Sequence, residues 1–139
     1  MTQSNGRQAA FLLLAIVLSA TPAPGDVSRP AKTGANTEYD SREAEARMAL
    51  DAVRARAGAG TLEAATAADA LVVALRRNGR GWSRESRTLA EETLTVKQRS
   101  LDPEDRRLVP TLVNLGDVLI AHAEYTRAIG LLERAARLS

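Results

Sequence analysis

The chain has 139 residues, with 17 Asp plus Glu against 19 Lys plus Arg and a formal charge of +2. The two signs are interspersed, so the pI of 9.5 reflects solvated helix faces and no nucleic-acid partner is expected. There is no cysteine, which excludes disulfides, thiolate nucleophiles, cysteine metal sites and a lipoprotein anchor. Aromatics are 3% of the chain and helix formers such as Ala, Leu, Arg and Glu dominate, which disfavours a β-sandwich or barrel.

Arg7 and the free amine precede an uncharged run from Ala9 to Ala20, AAFLLLAIVLSA. Such a run is shorter than the ~20 residues a membrane span needs and has the form of the apolar region of a secretory signal peptide. Residues 1–25 therefore read as an export signal, with an uncleaved signal anchor as the alternative. Small residues at Ser19, Ala20, Thr21 and Ala23 leave several cleavage points open. Pro30, Gly34 and Asn36 break regular structure, and residues 26–38 read as a flexible linker.

Residues 39–139 read as five helices. Asp40-Ser41-Arg42-Glu43 has the form of a capping box, which places the first helix start there and its end at Ala57, before Gly58-Ala59-Gly60. Thr61 is the next N-cap candidate. The second helix carries Leu62, Ala65, Ala68, Leu71, Val72 and Leu75 on one stripe and stops at Asn78-Gly79-Arg80-Gly81. The third begins near Ser83 and ends at Leu101-Asp102-Pro103. In the fourth, Leu108, Leu112, Leu115 and Leu119 are spaced four, three and four apart. A turn at His122-Ala123-Glu124 leads to the fifth, whose apolar set is Ala128, Leu131, Leu132, Ala135 and Leu138. The expected class is all-α, with short turns joining antiparallel helix hairpins.

The helices repeat. Ser86 lies 42 residues before Ala128, and at that offset Leu89 matches Leu131 and Val96 matches Leu138. In the preceding helices Leu71 and Leu75 match Leu115 and Leu119 at an offset of 44. The best copy spans 105–139 and a weaker one 61–100. Leu112-x-x-Leu115-Gly116-x-x-Leu119, followed by Tyr125-x-x-Ala128-x-x-x-Leu132-x-x-Ala135, resembles the tetratricopeptide repeat consensus. Leu119 stands where that family usually has tyrosine, and Ala123 where the turn glycine is common. The period near 42, the Leu94–Pro103 link and Leu112-Val113-Asn114-Leu115-Gly116 are similar to the kinesin-light-chain subtype.

The resemblance implies a short α-solenoid in which Gly116 and Ala128 meet at a close helix crossing, and in which the eight consensus residues, Tyr125 among them, pack the repeat. It also implies a concave groove lined by the first helix of each pair. Carried onto this chain, Val113, Asn114, Asp117 and Ile120 would face a peptide or protein ligand, with Asp69, Val73 and Arg76 from the earlier pair. Asn114 would bond the ligand backbone, since its amide both donates and accepts. Two helix pairs make a short array, so Leu131 and Leu138 are expected to form an uncovered stripe and to support a homo-oligomer through the last helix.

Catalytic constellations are missing from this pattern. His122 is the single histidine and reads as a helix-end residue; no metal site or cofactor is expected. Glu91-Glu92 and Glu104-Asp105 are adjacent, so on helices they diverge. Arg76, Arg77, Arg80, Arg84 and Arg87 form the densest basic patch and read as a solvated turn. Trp82, in a Gly-rich turn, reads first as a core plug and second as an interaction anchor. The chain is expected to be a non-catalytic exported scaffold that binds a protein or peptide. The alternative is a membrane-tethered accessory subunit of an envelope enzyme or transporter complex.

Overall fold

A computed structural model describes residues 34–139, with side chains from residue 37 onward. The signal segment and most of the expected linker lie outside the described residues. Every regular element among those described is helical: α1 (Gly34–Ala57), α2 (Leu62–Arg77), α3 (Arg84–Ser100), a single 3-10 turn (Arg106–Leu108), α4 (Val109–Ala121) and α5 (Tyr125–Leu138). No described helix is long and apolar enough to cross a membrane.

Local chemistry sets most of the boundaries. The Thr61 hydroxyl accepts from the Ala64 amide at 3.2 Å and opens α2, and the Ser83 hydroxyl accepts from the Ser86 amide at 3.1 Å and opens α3. Asp105 accepts from the Arg107 amide at 2.8 Å and opens the 3-10 turn. Hydrogen bonds from the Arg107 side chain and backbone hold the Asp105 carboxyl down to about 2. Gly79 (φ 71°) ends α2 in the left-handed region. Ala123 (φ 60°) does the same after α4, a conformation glycine adopts at lower cost.

The capping box does not cap. α1 begins at Gly34, so residues 34–38 belong to a helix instead of a linker, and Asp40 and Glu43 lie inside it. Their carboxylates serve tertiary contacts. Asn78 Nδ2 donates to Asp40 Oδ1 at 3.0 Å and to Glu43 Oε2 at 2.8 Å. Arg80 and Arg47 also donate to Glu43, which is buried. Arg47 and Arg80 both reach Glu85, and the Arg47 hydrogen bond holds Glu85 below the usual carboxylate range. This cluster ties α1 to the α2–α3 turn. Ser41 bonds back to the Thr37 carbonyl at 2.9 Å, as mid-helix serines do.

Each helix packs on its neighbour in sequence, and α2 also packs on α4. Leu108, Leu112, Leu115 and Leu119 of the α4 region are 0–3% exposed and sit in one core with Leu71, Val72, Leu75, Leu89 and Ala90. Burying each such leucine contributes about 1.5–3 kcal/mol. The pairs matched by the repeat share their burial. Leu71 and Leu75 are buried like Leu115 and Leu119, and Ser86 (0% exposed) is buried like Ala128 (1%).

Four expectations about packing need correction. A Cβ on Gly116 would meet Leu132 Cγ and Cδ2 at 2.8 Å, so the close approach is to Leu132 and not to Ala128. Tyr125 is exposed (59%), on one stripe with exposed Ile129 at the edge of the buried face of α5. Leu138 is buried and Leu131 packs half-buried against the core. With Ala128 and Ala135 they form the inner face of α5, spaced three, four and three apart, so they are not the uncovered stripe. Trp82 is 68% exposed and plugs nothing.

Candidate binding groove

α2 and α4 run parallel and side by side, because every bond between them joins residues about 42 apart. The contact is built from polar groups that sequence reasoning assigned to a ligand. Asp69 on α2 is buried. Its Oδ2 accepts from Lys97 Nζ of α3 and from Thr111 Oγ1 of α4, each at 2.6 Å. Its Oδ1 accepts from Asn114 Nδ2 at 3.1 Å. Lys97 Nζ donates a further bond to the Arg107 carbonyl at 3.1 Å. The Lys97 and Asp69 side chains are 4% and 9% exposed. A buried pair of opposite charges survives without water only when its remaining polar capacity is met, and here Thr111, Asn114 and the Arg107 carbonyl meet it.

Asn114 is 4% exposed. Its amide nitrogen is spent on Asp69, and its oxygen accepts from Arg76 Nη1 at 3.1 Å. Asp69 and Asn114 therefore lie beneath the groove as its framework, which corrects their expected place at its surface. The physical reason is that each points between two helices, where an unmet polar group would cost more than a bond to a ligand returns.

The other five expected residues do meet. Arg76, on α2, forms an ion pair with Asp117 on α4. One hollow of about 480 Å³ is lined by Val73, Arg76, Arg77, Val113 and Asp117. An adjoining one of about 370 Å³ is lined by Arg76, Gly79, Gly81, Trp82, Asp117, Ile120 and Ala121. They share the Arg76–Asp117 pair, so the two form one groove with an ion pair at mid-length. Val113 and Ile120 stay exposed at 36% and 44%, and Trp82 stands at one end.

Two more residues line the groove: Trp82, for which the sequence put an interaction anchor second to a core plug, and Arg77, read there only as part of a solvated basic turn. Trp82 gave a usable signal, since a large aromatic in a turn with Gly79 and Gly81 has little backbone bulk around it to bury against. Most of the basic patch is engaged internally: Arg76 with Asp117, Arg80 with Glu43 and Glu85, and Arg87 with Glu91 and Glu124. Arg77 is exposed on the groove wall with no ion pair to another described side chain.

The groove's charged centre is the Arg76–Asp117 pair, its walls combine apolar side chains with the exposed Arg77, and His122 stands at the end of α4 with Nε2 buried and unbonded. No family model, curated protein or solved structure matches the chain.

Proposed function

We propose that the chain is a non-catalytic scaffold module whose α2–α4 groove holds a segment of another protein. The observation that carries this reading is the groove itself, where Val73, Val113, Ile120 and Trp82 surround the Arg76–Asp117 pair. Apolar side chains kept exposed around a few fixed polar groups suit recognition of a peptide. The framework beneath favours the same reading, because Asp69, Lys97, Thr111 and Asn114 hold the two walls in a fixed spacing and lower the ordering cost on binding.

The spacing of the two helix pairs supports a tetratricopeptide-like module, near the kinesin-light-chain subtype. The Ala9–Ala20 run supports export, with the module free of the membrane once the signal is removed. N-terminal sequencing of the exported protein tests this part. Loss of the segment is expected, and an intact Arg7–Ala20 in the membrane fraction would favour the tethered alternative.

The binding reading is tested by panning the full chain against a phage-displayed random dodecapeptide library. Enriched peptides are expected to bind Ile120→Glu at least tenfold more weakly, at unchanged helical content. No enrichment, or peptides indifferent to that substitution, would overturn the reading.

A further inference from the structure

The Gly116–Leu132 contact sits at the edge of an apolar face that spans the α4–α5 hairpin. Val113 lies three residues before Gly116 and Ile120 four after it, so both flank the contact on α4. On α5, Ile129 lies three before Leu132, Ala136 four after and Tyr125 seven before. These residues share one side of the hairpin. They include four of the seven large apolar side chains exposed among the described residues: Val113, Ile120, Tyr125 and Ile129.

The same chain shows how the equivalent face is covered. At the repeat offsets, Gly116 and Leu132 correspond to Val72 and Ala90, and Ala136 to Leu94. All three are buried, at 0%, 0% and 8% exposure, in the core that α4 completes. There, α4 brings Thr111 and Asn114 to Asp69, and Asp117 to Arg76. Asp69 and Arg76 correspond to Val113 and Ile120. The second face thus lacks the charges of the first, and what covers it must be apolar at those positions.

We infer that this face pairs with the same face of a second copy about a two-fold axis. The α5 stripe suits its own reversal. Read Tyr125, Ile129, Leu132, Ala136, it places Tyr125 against the small Ala136 of the other copy and Ile129 against its Leu132. The outer rim carries Glu133 and Arg137, of opposite sign and without ion pairs to other described side chains, so like faces can meet without a net charge against them.

The size of the face sets the strength. α4 and α5 have 13 and 14 residues, about 20 Å each at 1.5 Å per residue. Two such helices ~10 Å apart offer far less than the ~800 Å² per partner of a stable complex. The dimer is weak and dissociates in the micromolar range.

The face shares Val113 and Ile120 with the groove, so a peptide and a second copy would compete there, whereas Tyr125 and Ile129 lie outside the groove lining and report on the dimer alone. The experiment is sedimentation of the full chain over roughly 1–500 µM. The average mass is expected to rise toward twice that of the monomer, and Ile129→Glu to weaken association at least tenfold with unchanged circular dichroism. Because the chain has no cysteine, the double variant Tyr125→Cys/Ala136→Cys gives a second reading: its cysteines should link two copies under mild oxidation, and Met48→Cys, exposed on α1, should not. A monomer throughout the range, association indifferent to Ile129→Glu, growth beyond the dimer, or equal cross-linking from the double variant and from Met48→Cys would each overturn it.

Discussion

The α2–α3 pair and the α4–α5 pair follow one plan and fill it with different residues. Where the first has Val72 on its leading helix and Ala90 on its second, the other has Gly116 and Leu132. The large residue has changed sides. A core packed to crystal density tolerates such a change when total volume is kept. The turns differ likewise: Gly79 and Ala123 both take positive φ at equivalent positions. The largest contrast is polar. The first pair carries Asp69 and Lys97 buried at its junction with α4, and the second carries Val113 and Ser139 there. The first junction is fixed by a charge network and the second is left apolar and exposed. A buried network gives a defined spacing, and an apolar face gives a surface that can take a partner.

The contrast breaks most sharply at Lys97. Lys97→Met removes the countercharge and a hydrogen-bond donor of the buried Asp69, and it should destabilise the chain by about 3–5 kcal/mol. Val113 occupies the position equivalent to Asp69, and Val113→Ala, half-exposed with no bonded partner, should cost well under ~1.5 kcal/mol. Urea unfolding of both variants checks the pair. Similar losses would mean that the buried charges do not distinguish the junctions.

A smaller effect sharpens the volume argument. Gly116→Val places a branched side chain where even a Cβ meets Leu132 at 2.8 Å, and should cost about 1–3 kcal/mol. Combining it with Leu132→Ala recreates the large–small order of Val72 and Ala90. The double variant should be more stable than the sum of the two single losses implies, by at least ~1 kcal/mol. Thermal or urea unfolding of the four-member cycle measures this, and strict additivity would show that the residues do not share one volume.

The all-helical fold was legible because the leucine spacing in α4, the N-caps Thr61 and Ser83, and the glycine stops are local signals. Five residues that the tetratricopeptide resemblance implied for a groove, Val73, Arg76, Val113, Asp117 and Ile120, do line the two hollows. What escaped were tertiary choices. Asp40 and Glu43 satisfy the capping pattern, yet Asn78 and Arg80, nearly 40 residues away, claim both carboxylates. Asn114 has the right chemistry for a ligand and stands on the groove helix. Its rotation toward Asp69 depends on how α2 and α4 approach, which no single helix encodes. The α5 stripes at Leu131 and at Ile129 are both apolar, and only the position of α4 decides which is inner.

The central claim is that the α2–α4 groove is the binding surface. Trp82 is the only tryptophan and stands at its end, so its emission reports on the groove directly. Titrating the full chain with a peptide enriched by panning should shift the Trp82 emission to the blue, saturably. Ile120→Glu should weaken that response at least tenfold, while Ile129→Glu leaves it in place. Saturable binding with no change in Trp82 emission, or a response lost in Ile129→Glu and kept in Ile120→Glu, would contradict the account.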